Sequence, residues 1–174
     1  MRLSVMIDIV CKDIDKAIEA GAFISALSLA LNLPDWCGKA EYPSENTASR
    51  YKKWYAEYVG KYETYDGNKH PYLSADVVYS LRNHLLHQGA LTYDNKDIHQ
   101  EQNKVGLFSL YFNSDTSEGG ESFLFKGWGE DSTQFKCYRV NALNLVMKLQ
   151  LCAAGYYEEN KEKFEFLKIK IMDK

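Results

Sequence analysis

Apolar residues recur at helical spacing through the first half of the chain, alternate at strand spacing after it, and return to helical spacing near the end. Ile7, Val10, Ile14 and Ile18 stand three or four apart, which predicts an amphipathic helix over residues 4–19. Residues 20–33 are apolar nearly all round and predict a central buried helix. Its small residues Gly21, Ala22, Ser25, Ala26 and Ala30 would let neighbouring helices approach closely. Pro34 ends or restarts that helix. Residues 35–47, with Gly38 and Pro43, read as a mostly irregular connection. A third helix over residues 48–62 carries Tyr51, Trp54, Tyr55 and Tyr58, and Asp66-Gly67-Asn68 marks a turn after it. A fourth helix starts at Ser74, a suitable N-cap, and stops at Gly89, a suitable C-terminal cap.

Residues 105–112, 123–125 and 135–140 alternate as strands do, with polar, glycine-containing turns at 113–121 and 127–132. They predict a small antiparallel sheet of two or three strands. A long last helix begins near Asn141, carries Leu143, Val146, Leu149 and Ala153, and continues or breaks and resumes through residues 164–171. The expected fold is mainly α: an up-and-down bundle of four to five helices with a small antiparallel β-hairpin or sheet inserted before the last helix. One domain over residues 1–174 is expected, with the bundle at about 4–89 and 141–171 and the insertion at about 104–140. No internal repeat is visible.

At 174 residues the chain is long enough to bury a real core. A net charge of −3 gives no broad basic field, which argues against non-specific duplex binding over a large surface. A small local site for RNA or a nucleotide is compatible with it. Cys11, Cys37, Cys137 and Cys152 form no C-x-x-C pair, so zinc clusters and redox motifs have no support. Reduced thiols in a cytoplasm are the simplest reading. Asp8, Asp13 and Asp15 interrupt the N-terminal apolar run, so no secretory signal is expected. The most apolar stretch, residues 20–31, is too short to span a bilayer, and no membrane partner is expected.

The chemistry concentrates in Arg82-Asn83-His84-Leu85-Leu86-His87. Wound at 3.6 residues per turn, the segment places Val78, Leu81 and Leu85 on an apolar stripe. Asp76, Ser80, Asn83 and His87 gather on roughly the opposite side. Arg82 lies at the stripe's edge, with a stem long enough to carry its guanidinium toward either face. A histidine moves protons near neutral pH and a guanidinium grips phosphate oxygens bidentately. Together they suit phosphoryl chemistry that needs no metal or other cofactor.

This hexad resembles the Arg-polar-x3-His motif of the HEPN superfamily, all-helical domains that include metal-independent ribonucleases. Gly21-Ala22-Phe23-Ile24-Ser25-Ala26-Leu27, Leu33-Pro34-Asp35-Trp36-Cys37-Gly38 and the stretch from Tyr79-Ser80-Leu81-Arg82 to His87-Gln88-Gly89 are similar to uncharacterised bacterial HEPN-like proteins. The resemblance spans roughly the first half of the chain. It implies a helical bundle, a homodimer whose motifs meet across the interface, and a catalytic set of Arg82, Asn83 and His87. By position, His87 is the acid or base on the ribose 2′-hydroxyl or the leaving oxygen, Arg82 stabilises phosphate charge, and Asn83 orients one of them. His84, Ser80 and Tyr79 are expected to bind substrate or support these three. A toxin–antitoxin or phage-defence role follows from the same resemblance, with an antitoxin or other protein as a further partner.

Blander readings compete. Arg82 can pair a structural carboxylate, and His87 suits a helix C-terminus. The chain is then a non-catalytic module that binds a nucleotide or a partner protein. His84 and His87 could share a metal with His70 or His99, but no local set of further ligands supports it. The aromatic stripe Tyr51, Trp54, Tyr55 and Tyr58, flanked by Arg50, Lys52 and Lys53, could stack bases, yet such stripes are more often core. Cys37 has no basic or histidine neighbour in sequence that would activate it.

Overall fold

The computed structural model describes residues 2–62, 73–94, 105–126 and 134–171. The turns expected at 66–68 and 127–132, and His70 and His99, lie outside them. The fold is mainly α-helical, with a small β-sheet preceding the last long helix. It comprises two compact units: residues 1–79 with 146–174, and residues 80–145.

In the first unit, strand β1 (Arg2–Val5) pairs antiparallel with the terminal strand β6 (Lys168–Ile171), Arg2 opposite Ile171. Helix α1 (Met6–Glu19) buries Ile7, Val10 and Ile14, the stripe its spacing predicts. Gly21, at φ +70°, breaks the chain where a continuous helix from residue 20 was expected. Helix α2 (Phe23–Ala30) follows and buries Ala26, Leu27 and Ala30. It is not buried all round: Ile24 is 46% exposed, and Gly21, Ala22 and Ser25 face solvent rather than a neighbouring helix.

The expected irregular connection is largely a helix, α3 (Leu33–Glu41), which Pro34 restarts from its first turn. Leu33, Pro34, Cys37, Gly38 and Ala40 are buried, and the helical spacing of Leu33, Cys37 and Ala40 is hidden by the apparent breakers Pro34 and Gly38. Gly38 is there for packing. A Cβ on it would stand 2.5 Å from the Arg50 carbonyl oxygen on helix α4 (Thr47–Tyr58). Asp35 and Arg50 close the same α3–α4 contact with a 2.8 Å ion pair. Asn46 caps α4 by accepting from the Ser49 N–H at 2.9 Å. Tyr51, Trp54 and Tyr55 are fully buried, so the stripe is core and not a base-stacking platform. A 3-10 turn, Gly60–Tyr62, follows α4.

Helices α5 (Ala75–Gln88) and α6 (Ala142–Glu159) each run from one unit into the other. The Ser74 hydroxyl accepts from the Val77 N–H at α5's start. After α6 the chain does not resume as a helix to residue 171. It makes a 3-10 segment, Lys161–Leu167, and then β6. Phe164 is fully buried there against Tyr156 and Tyr157, both edge-on.

The second unit holds β2 (Thr92–Asp94), β3 (Val105–Tyr111), β4 (Gly120–Lys126) and β5 (Gln134–Asn141). Their order is β2-β3-β5-β4, so the small sheet expected before the last helix is present, with four strands where two or three were expected. β3 pairs parallel with β5, while the β2–β3 and β4–β5 pairs are antiparallel. Because β5 separates β3 from β4, the loop joining them must arch over the end of β5. Asn141, fully buried, sits at that end. Its amide donates to the carbonyls of Asp115 (2.8 Å) and Glu118 (3.3 Å), and its Oδ1 accepts from the N–H groups of Asn113 and Leu143. Asn144 donates to the Thr116 carbonyl at 2.7 Å. Gly120, at φ +155°, lets β4 leave the loop against the Arg139 carbonyl, where a Cβ would collide.

Candidate functional site

Arg82, Asn83, His84 and His87 all lie on α5 within the second unit. Val78, Leu81 and Leu85 are buried, so the apolar stripe drawn from the periodicity fixes which side of the helix carries chemistry. Two bonds finish the helix beyond the hexad. The Gly89 N–H reaches the Leu85 carbonyl at 3.0 Å and the Ala90 N–H reaches the His84 carbonyl at 3.1 Å, with Gly89 at φ +65°.

The guanidinium takes the polar side. Arg82 Nη1 donates to Asn83 Oδ1 at 2.9 Å, with both residues half-buried. Asn83 therefore spends an acceptor on the arginine and keeps amide N–H donors for another partner. His87, one turn after Asn83, is exposed. The arrangement sets a half-buried cation, its Nε fully buried, and a half-buried amide donor beside an exposed imidazole on one helix.

His84 is held more firmly than the hexad alone suggests. Its Nδ1 stands 2.8 Å from the Ser80 carbonyl oxygen, which can only accept, so that nitrogen carries the proton. Its ring lies 5.2 Å from the ring of Tyr93 on β2, and Tyr93 in turn stacks on Phe108 of β3. Ser80 thus contributes its main chain. Tyr79 belongs to the first unit, where its ring meets Tyr51 edge-on at 5.1 Å and Lys52 lies over it. The Tyr93 support escaped sequence reasoning because three residues are too short a strand to show periodicity. The Ser80–His84 spacing of four was a visible trace of the carbonyl contact only.

Among the described residues, no group of three His, Cys, Asp or Glu side chains is placed to hold a metal ion. The Cys11 and Cys37 thiols are poor nucleophiles. Burial, then the charges of Asp15 and Asp8, pushes Cys11 up to about 11, and burial carries Cys37 well above the usual thiol range. No helix among the described residues is long and apolar enough to cross a membrane.

A second polar cluster, missed in the sequence, occupies the first unit. Glu41 accepts from Tyr156 Oη at 2.5 Å and from Lys163 Nζ at 2.6 Å. The lysine bond and then the tyrosine bond hold its carboxyl below the usual value. Tyr42 donates to Glu57 at 2.5 Å nearby in sequence. The tyrosines engaged there are pushed upward, chiefly by burial, so they act as hydrogen-bond donors and not as bases. Comparison with protein-family models, with characterised proteins and with solved structures returned no match.

Proposed function

We propose that the chain is a metal-independent endoribonuclease of HEPN type, with Arg82, Asn83 and His87 as its catalytic set. The observation that carries this reading is the turn of the Arg82 guanidinium onto Asn83, one helical turn from the exposed His87. A phosphate lying along that stretch of helix meets a delocalised cation and an amide donor, with a titratable imidazole within reach of an adjacent oxygen. The net charge of −3 suits a small recognition site better than a long basic track.

In this reading two copies associate so that their α5 motifs face each other, and the substrate is RNA. Toxin or phage-defence activity held in check by an antitoxin is the biological setting that the resemblance supports. Cys11, Cys37, Cys137 and Cys152 form no disulfide, which fits a reducing cytoplasm. The test is cleavage of RNA by the purified chain in excess EDTA, with His87→Ala as the control. Absence of cleavage across varied RNAs, together with thermal stabilisation by a nucleotide, would replace the enzyme with a nucleotide-binding module.

A further inference from the structure

We infer that His84 is the proton acceptor and His87 the proton donor of one acid–base pair carried on a single α5 helix. This rests on the ribonuclease reading above. Metal-independent cleavage of RNA moves two protons. The 2′-oxygen loses its proton as it bonds to phosphorus, and the 5′-oxygen gains one as its bond to phosphorus breaks. One imidazole cannot serve both oxygens at once, Asn83 does not titrate, and the second group is therefore either the His87 of a facing copy or His84 on the same helix.

The geometry assigns the acceptor role to His84. The Ser80 carbonyl, 2.8 Å from Nδ1, places the neutral ring's proton on Nδ1 and its lone pair on Nε2. Nε2 has no hydrogen-bond partner among the described residues. The Tyr93 ring supports the imidazole from β2, so Nε2 is held in one direction before substrate arrives. His84 is half-buried. This is the arrangement of a base oriented by a third group. His87 is exposed and has no hydrogen-bond partner among the described residues, which suits a group that must follow the leaving oxygen. Three residues apart on one helix, the two side chains are neighbours.

The balanced step is a transesterification. The 2′-O–P bond forms as its proton passes to His84 Nε2, and the P–O5′ bond breaks as His87 gives its proton to the 5′-oxygen. The products are a 2′,3′-cyclic phosphate and a free 5′-hydroxyl. Arg82 holds the non-bridging oxygens throughout.

The experiment uses the RNA that the wild-type chain cleaves, remade with sulfur in place of the bridging 5′-oxygen at the mapped site. A thiolate leaves without a proton. His87→Asn should lose about 100-fold or more on ordinary RNA and regain most of it on the sulfur substrate. His84→Asn, whose amide can still donate to the Ser80 carbonyl, should lose a similar factor on both substrates. A His84→Asn chain that cleaves within a few-fold of wild type, or that sulfur rescues, overturns the assignment while leaving the ribonuclease reading intact. A wild-type chain that cleaves no RNA overturns that reading and this inference together. A readout free of activity and of any variant is the ¹⁵N spectrum of the wild-type imidazoles. The neutral His84 ring should carry its proton on Nδ1, and a proton on Nε2 would overturn the acceptor role.

Discussion

The guanidinium of Arg82 and the side-chain amide of Asn83 are joined at 2.9 Å although the two residues are adjacent on one helix. Adjacent side chains diverge by about 100° around a helix, so the contact forms only because the arginine stem bends along the surface. That bend directs a planar, multidentate cation to the polar side. Lysine would keep the charge and lose the fork. Arg82→Lys should therefore reduce RNA cleavage by roughly 100-fold or more while leaving the melting temperature nearly unchanged. Steady-state kinetics beside thermal melting would check it.

If two copies share the site, as proposed, activity depends on association. Leu86 is half-buried on the same helix, one residue from His87. Leu86→Ala should raise the dimer dissociation constant and lower specific activity in parallel as the protein is diluted. Sedimentation and cleavage measured over one concentration series would test this. A monomer at micromolar concentration that cleaves RNA at full rate would contradict a site shared between two copies.

Asn141 is fully buried with four side-chain hydrogen bonds, and it both caps α6 and holds the loop that arches over β5. Removing its side chain leaves main-chain groups of the loop and the helix start without partners. Asn141→Ala should cost about 2–4 kcal/mol, read by denaturant unfolding. A loss below about 1 kcal/mol would mean that the loop finds other partners.

Helix propensity alone favours Gly38→Ala by about 1 kcal/mol. The close approach to the Arg50 backbone opposes that gain, because a main-chain carbonyl 2.5 Å away cannot swing aside. The net effect should be destabilisation by about 1–3 kcal/mol. The same denaturation experiment decides the sign.

Glu41 gives a pH dependence. Its carboxyl lies below the ordinary 4.5, first because of the Lys163 bond and then because of the Tyr156 bond. Its contribution is therefore fully present above the unfolded value and is lost as pH falls through the lowered folded value. Wild type should exceed Glu41→Gln by about 1–3 kcal/mol at pH 7. The gap should narrow once the pH drops below about 4.5. A gap independent of pH would show that packing alone carries the effect.

Helix existence was legible wherever apolar spacing was unbroken, as in Ile7, Val10 and Ile14 of α1 and Val78, Leu81 and Leu85 of α5. It failed at α3, where Pro34 and Gly38 read as breakers. In place, Pro34 occupies a first turn that needs no N–H, and Gly38 admits a neighbouring backbone. The positions of β3, β4 and β5 were visible in the alternation, but β1, β2 and β6, at three or four residues each, were not, and neither was strand order. Periodicity says which residues share a face and nothing about which strands pair, so the parallel β3–β5 pair could not be anticipated. At the candidate site, residue types and spacing singled out Arg82, Asn83 and His87. The direction of the guanidinium and the Ser80 and Tyr93 support of His84 depend on side-chain conformation and on a three-residue strand, which spacing does not encode.

The most direct test of the ribonuclease reading is cleavage of a panel of RNAs in excess EDTA by wild type, Arg82→Ala and His87→Ala, each shown to be folded. The account predicts wild-type cleavage that survives EDTA, leaves a 2′,3′-cyclic phosphate end, and falls by about 100-fold or more in both variants. Equal trace cleavage by all three proteins, or none by any, would contradict it.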